Sequence, residues 1–186
     1  MATVQQRLTL EEFLKLPEEE PALEFEDGVA IQKVSPKAKH SAIQYELAEL
    51  FNRFGRRRRI ARAFPELRAT FAGASYVPDV AVYRWERIPV DAAGEVVDDF
   101  FEPPDIAVEV VSPEQSVNAL VRRCLWYVQH GVRVALLVDP EDKSVVVFRP
   151  ESRTSALRGT EPIDFGDVLP GFQFRADRLF GSLKIS

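Results

Sequence analysis

Two long stretches of the chain carry apolar residues at helical spacing, every three or four positions. The first runs from Ser35-Pro36 to Gly55, and the second from Ser116 to Gly131. The apolar positions of the first stretch are Ile43, Leu47, Leu50, Phe51 and Phe54. This spacing predicts two helices, preceded near the start of the chain by a shorter one that Thr9 caps.

Other segments have the apolar patterns of β-strands. Residues 23–32 surround an Asp27-Gly28 pair, which is typical of a hairpin turn. Further strands are predicted at 62–72, 76–85, 106–111, 134–138 and 144–148, the first two joined at Gly73. Residues 91–101 resemble an acidic surface loop and 149–163 a polar, turn-rich tail. Residues 165–180 suit a terminal hairpin or a short helix.

The order of these elements predicts an α/β fold with a central mixed β-sheet flanked by helices. A length of 186 residues fits one domain, so residues 1–186 are expected to form a single unit. The single cysteine, Cys124, excludes an internal disulfide framework. The start of the chain lacks a signal-peptide core, and no apolar run approaches the roughly 20 residues of a membrane span. We therefore expect a cytoplasmic protein without a membrane partner.

The charge is unevenly distributed along the chain. A net charge of −5 argues against a general nucleic-acid coat protein. A dense basic block interrupts the acidic background, formed by Arg53, Arg56, Arg57, Arg58, Arg59 and Arg62. Arg56 to Arg59 are candidates for nucleic-acid contact through phosphates, or they form a solvated cluster at a helix end.

Two acidic residues are candidates for a catalytic centre. Glu109 interrupts the apolar run from Ile106 to Val111, and Asp79 follows Pro78 at the start of another predicted strand. A buried carboxylate must be protonated, hydrogen-bonded, paired with a cation or bound to a metal. If the two strands pair with Asp79 beside Glu109, the carboxylates converge, and the carbonyl of Val110 is a natural additional ligand. Such hard oxygen donors suit Mg²⁺ or Mn²⁺, which can activate water and stabilise charge on a phosphodiester.

Structural roles are the alternatives for these two residues. Asp79 could cap a strand after proline, and Glu109 could be a buried acid paired with Arg123 or Arg68. His40, which opens the first long helix, could cap that helix or approach the site.

Eight sequence blocks, in order along the chain, resemble the Uma-type putative restriction endonucleases of the PD-(D/E)XK nuclease superfamily. The blocks are Leu23 to Gly28, Ser35-Pro36, His40, Tyr76 to Val82, Pro103 to Pro113, Tyr127, Gly131-Val132 and Leu137 to Pro140. The resemblance extends from about residue 9 to residue 148, which leaves 149–186 as a C-terminal extension.

The resemblance implies a restriction-endonuclease-like core and DNA as the substrate. It assigns Asp79 and Glu109 as metal ligands for Mg²⁺ or Mn²⁺ and Glu24 as a further acidic residue of the site. The family's usual lysine position, four residues before Tyr127, is occupied by Arg123. The superfamily's more common lysine position, two residues after Glu109, is occupied by valine.

Two functions therefore follow from the sequence. The first is a metal-dependent endonuclease in which Arg123 contacts phosphate, with Gln115 either touching DNA or capping a turn. The second is a catalytically degenerate nucleic-acid-binding or protein-interaction module on the same fold, favoured by the absence of lysine at both positions. Because a duplex substrate offers two strands, a homodimer is also expected.

Overall fold

A six-stranded mixed sheet forms the centre of the protein in the computed structural model, which describes residues 7–185. Its strands, in spatial order, are β10 (Ser155–Arg158), β9 (Ser144–Phe148), β8 (Val134–Asp139), β7 (Ile106–Val110), β6 (Val80–Arg84) and β3 (Ala61–Pro65). Strands β7 and β8 are parallel and the other neighbours are antiparallel. The predicted α/β class with a mixed sheet is confirmed.

A second sheet of four strands carries the N-terminal hairpin. Its order is β2 (Val29–Gln32), β1 (Leu23–Glu26), β5 (Ala74–Tyr76) and β4 (Ala69–Phe71). The predicted turn between β1 and β2 is confirmed, because Asp27 and Gly28 both have positive φ, at 49° and 83°. Two successive residues of this kind form the tight turn whose twist matches that of the flanking strands.

The two long helices lie on opposite faces of the six-stranded sheet. The long ones are α2 (Ala38–Gly55) and α3 (Val117–Gln129), and the short ones are α1 (Leu10–Phe13) and α4 (Ala176–Gly181). Thr9 and Glu12 form the reciprocal capping box that begins α1, and the Ser116 side chain caps α3. The helices predicted from apolar spacing are therefore confirmed, with α3 ending two residues earlier than expected.

The two strands predicted across residues 62–85 are wrong in their boundaries. Each is divided in two: β3 and β6 pair in the large sheet, whereas β4 and β5 form a hairpin of the small sheet around Gly73. The first break falls at Glu66, whose φ is 51°, and the second at Pro78. Leu67 and Val77 keep one apolar position in each break, so the predicted strands ran through them, although Pro65 and Pro78 mark both places in the sequence. The division places Asp79 directly before β6.

Separate hydrophobic clusters cover the two faces of the large sheet. On one face, α2 packs with the residues that follow position 162, where β11 (Pro162–Asp164), β12 (Gln173–Arg175) and α4 lie. The hairpin and the helix proposed as alternatives for this region are thus both present. On the other face, α3 packs with the large sheet and with β4 and β5. Within residues 7–185, none of the helices combines the length and apolar character needed to cross a membrane.

Candidate active site

The register of β6 and β7 brings Asp79 beside Glu109. Val80 pairs with Val108 in the antiparallel ladder, so the next residues outward, Asp79 and Glu109, face each other. Both are about as buried as core residues, with 1% of each exposed. The convergence that the sequence predicts is present in the structure, and the environments of the two carboxylates differ.

Three donors surround the Asp79 carboxylate. Lys33 Nζ lies 2.7 Å from Oδ1, while His40 Nε2 at 3.0 Å and the Val110 N–H at 2.6 Å bind Oδ2. Burial by itself would raise the pKa of Asp79, but the His40 hydrogen bond and the Lys33 charge outweigh it and lower the pKa. Asp79 is therefore an ionised carboxylate that three hydrogen-bond donors hold in place. His40 approaches the site rather than only beginning a helix.

Glu109 occupies a less polar environment than Asp79. The Tyr127 hydroxyl donates a 2.7 Å hydrogen bond to its Oε1, and Arg123 Nη1 lies 3.7 Å from the same oxygen. Burial raises the pKa of Glu109 to about 8; the negative charges of Asp79 and Glu24 add to this rise, and Arg123 opposes it. Of the two adjacent acids, one is thus ionised at neutral pH and the other tends to keep its proton.

Glu24 and Arg123 form a two-pronged ion pair at the edge of the site. Arg123 Nη2 lies 2.6 Å from Glu24 Oε2, and Nη1 donates to Oε1 at 3.1 Å. The Val77 N–H also donates to Oε1, and the guanidinium carbon lies 4.6 Å from the Tyr76 ring centroid. Arginine suits this geometry because its planar fork matches a carboxylate and stacks on aromatic rings. The family resemblance implies Glu24 as a site acid, and the structure gives it an arginine partner.

Lys33, Gln44 and Glu66 are site residues that the sequence analysis missed. Lys33 follows β2 and also bridges to Glu66 Oε2 at 2.6 Å. Gln44, on α2, donates to Glu66 Oε1 at 2.6 Å and to the Asp79 carbonyl at 2.9 Å. The one sequence signal for Lys33 is its position between two blocks of the family resemblance, Leu23 to Gly28 and Ser35-Pro36.

Two clefts border the residues around the site, and neither of them is lined by Asp79 or Glu109. The His40 cleft, of about 480 Å³, is lined by Lys33, His40, Gln44 and Glu66. The Arg123 cleft, of about 330 Å³, is lined by Lys33, Glu24, Arg123 and Gln115. The side chain of Lys33 lines both clefts.

The predicted nucleic-acid residues lie in different places. Gln115 lines the Arg123 cleft, and its side-chain oxygen accepts the Ser112 N–H at 3.0 Å, which is the expected turn cap, while its contact with DNA stays a prediction. The exposed residues Arg56, Arg57, Arg58 and Arg59 follow the C-terminal end of α2. At a rise of 1.5 Å per residue, this end is about 24 Å along the helix from His40. The structure does not bring the basic block to the carboxylates.

The donor set suits a hard divalent cation that keeps most of its water. Within residues 7–185, no three His, Cys, Asp or Glu side chains form a group that could hold a metal ion. Mg²⁺ commonly binds through one or two carboxylates and completes its shell with water and substrate phosphate. Asp79 and Glu109 satisfy that requirement. Val110 contributes its N–H to Asp79, and a ligand role for its carbonyl stays a prediction.

Comparison with known proteins identifies a family and a close structural neighbour. The model of the Uma2 family, described as putative restriction endonuclease, matches residues 10–177. The crystal structure of a putative nuclease belonging to DUF820 from Anabaena variabilis is 39% identical, with a TM-score of 0.91 over 95% of this chain and 99% of that chain.

A second solved structure is only distantly similar to this chain. The cryo-EM structure of a DrdV–DNA complex is 11% identical, with a TM-score of 0.35 over 78% of this chain and 14% of that chain. No protein among those with curated descriptions matches the chain.

Proposed function

Because the chain belongs to the Uma2 family of putative restriction endonucleases, we propose that it is a metal-dependent endonuclease that hydrolyses DNA phosphodiester bonds. The observation that carries this proposal is the pair of buried carboxylates, Asp79 and Glu109, facing each other across neighbouring strands. Burying two acids side by side is unfavourable unless a proton or a cation compensates their charge.

Asp79 and Glu109 would hold Mg²⁺ or Mn²⁺ as its carboxylate ligands. When bound, such a cation polarises a phosphodiester oxygen and lowers the pKa of a coordinated water. The low pKa of Asp79 keeps one ligand ionised at neutral pH. Glu109, with a pKa of about 8, must release its proton to bind a cation, so this pair couples metal binding to proton release.

The surrounding residues fix the orientation of the acids. His40 and the Val110 N–H hold Oδ2 of Asp79, while Tyr127 holds Oε1 of Glu109. Pre-oriented groups of this kind lower the reorganisation needed to reach the transition state. We assign Glu24 the role of positioning Arg123, because its two oxygens both bind that guanidinium. Arg123 lines its cleft and would contact a DNA phosphate there.

A second candidate is the degenerate module on the same fold, which binds nucleic acid or a protein without cleaving it. The observation that favours it is the acidic rim of the His40 cleft, formed by Glu18, Glu19, Glu20, Asp98 and Asp99. Carboxylates at this opening repel a DNA backbone and would suit a basic protein segment.

Cleavage of supercoiled plasmid DNA with Mn²⁺ or Mg²⁺ separates the two functions. The nuclease predicts nicked and linear products that disappear with a chelator and in the Asp79→Ala and Glu109→Ala variants. The absence of cleavage by folded wild-type protein, together with no metal binding at these carboxylates, would contradict the nuclease and favour the module.

A further inference from the structure

The ammonium of Lys33 lies beside the site acids although both expected lysine positions are occupied by other residues. We propose that Lys33, delivered by the hairpin of β1 and β2, is the catalytic lysine of this site and donates a hydrogen bond to the scissile phosphate. This role rests on the proposed nuclease function. The positive charge of the site would then come from the residue that follows β2 and not from β7 or α3.

Among the described residues 7–185, Lys33 has acceptors for two of its three N–H groups, which leaves one for a ligand. An ammonium has three N–H groups, and contacts to Asp79 Oδ1 at 2.7 Å and Glu66 Oε2 at 2.6 Å use two of them. The side chain is 8% exposed and lines both clefts. A phosphate in the Arg123 cleft, which Lys33 lines together with Arg122 and Arg123, would approach Nζ next to Asp79.

Lys33 compensates the charge of the buried Asp79 carboxylate, but hydrogen bonding alone does not require a lysine at this position. Asp79 already receives hydrogen bonds from His40 and the Val110 N–H. Glu66 is 42% exposed at its side chain, so water can solvate it without a cation. Burying an ammonium has a desolvation cost that the exposed Glu66 does not fully offset, and the buried Asp79 carboxylate contributes the rest. If Asp79 Oδ1 binds a metal ion in place of Lys33, the bond to Glu66 still holds Nζ in position.

Arg123 does not supply an equivalent group. Its guanidinium is held on both oxygens of Glu24, at 2.6 and 3.1 Å, so its remaining N–H groups would contact a phosphate only from this fixed position at the edge of the site. Lys33 is a compact point charge on a flexible stem, which suits a phosphate oxygen that gains charge during the reaction.

The first test compares Lys33→Met with Lys39→Met. Lys39 is a suitable control because its side chain is 59% exposed and its ion pair with Glu141 lies at the surface. In single-turnover cleavage of plasmid DNA with Mn²⁺, we expect Lys33→Met to be at least about 100-fold slower than wild type. Lys39→Met should remain within about twofold. Cleavage by folded Lys33→Met within about threefold of wild type would overturn the role of Lys33.

Mn²⁺ binding provides a readout that is independent of cleavage. Loss of Lys33 frees Oδ1 of Asp79, so Lys33→Met should bind Mn²⁺ at least as tightly as wild type. If cleavage and Mn²⁺ binding are lost together, the lysine serves to build the metal site and the phosphate contact is refuted. If wild-type protein binds Mn²⁺ but never cleaves DNA, the nuclease itself fails, and the role of Lys33 fails with it.

Chemical rescue distinguishes the charge from the shape of the side chain. Cys124 is the only cysteine in the sequence and is fully buried, so the thiol of Lys33→Cys can be alkylated selectively. Aminoethylation with 2-bromoethylamine restores an ammonium, whereas iodoacetamide adds a neutral amide. We expect cleavage to return at least about tenfold in the first product only. Equal activity of the two products would overturn the proposal.

Discussion

The hydroxyl of Tyr127 donates a 2.7 Å hydrogen bond to Oε1 of Glu109, and both side chains are buried between α3 and the six-stranded sheet. Arg123 lies one turn earlier on the same helix face and approaches the same oxygen at 3.7 Å. Helix α3 therefore contributes two groups that hold one carboxylate. This contact fixes the orientation of Glu109 without neutralising it.

Replacing Tyr127 with phenylalanine should leave Oε1 of Glu109 without its main hydrogen-bond donor. We expect the free energy of unfolding to fall by about 1–3 kcal/mol, measured by urea denaturation at pH 6. Tyr45→Phe is the control, because Tyr45 is 71% exposed and its loss should be neutral. Equal stability of the two variants would show that the hydrogen bond contributes nothing.

Glu109 should make stability depend on pH in a defined direction. Its pKa rises from 4.5 in the unfolded chain to about 8 in the fold, chiefly through burial. The folded state therefore binds more protons than the unfolded state between these values. Its stabilising contribution is complete below pH 4.5 and is lost as pH rises through 8.

The matched variant for this prediction is Glu109→Gln, which has no proton to release. Relative to it, wild type should lose up to about 1.4 kcal/mol of unfolding free energy per pH unit between pH 5 and 8. Chemical denaturation at several pH values measures this difference. Parallel stability curves for the two proteins would mean that Glu109 titrates normally.

Arg123→Met should be strongly destabilising because it leaves a buried carboxylate unpaired. Glu24 is only 3% exposed and would retain the Val77 N–H alone. We expect a loss of about 3–5 kcal/mol, part of which the additional change Glu24→Gln recovers. The neighbouring, exposed Arg122 provides the control, and Arg122→Met should change stability by less than about 0.5 kcal/mol. Similar melting curves for the two methionine variants would contradict a supporting role for the ion pair.

The local sequence pattern predicted most helices and strands, whereas it did not reveal contacts between residues that are far apart in the sequence. Apolar spacing, the Asp27-Gly28 turn and the Thr9 cap depend on residues a few positions apart, so a single sequence contains them. The adjacency of Asp79 and Glu109 also followed, since one register fixes it. Lys33 lies 46 residues from Asp79 in the sequence, and only the way the small sheet meets the large one brings them together.

The roles of the site residues are a separate matter from their positions. The structure gives the partners of Glu24, Arg123 and Gln115, while their catalytic or DNA-binding roles stay predictions. The basic block shows that a conspicuous sequence feature need not lie at the site. Its four consecutive arginines are separated from the carboxylates by the length of α2.

The rate of Mn²⁺-dependent cleavage of supercoiled DNA by Asp79→Asn, relative to wild type, tests the central claim most directly. Asparagine keeps the shape of Asp79 and removes the charge that would bind the cation. Loss of several kcal/mol of transition-state stabilisation predicts a rate at least about 100-fold lower, with the fold unchanged. Cleavage by the folded variant at the wild-type rate would contradict a metal-dependent nuclease centred on Asp79 and Glu109.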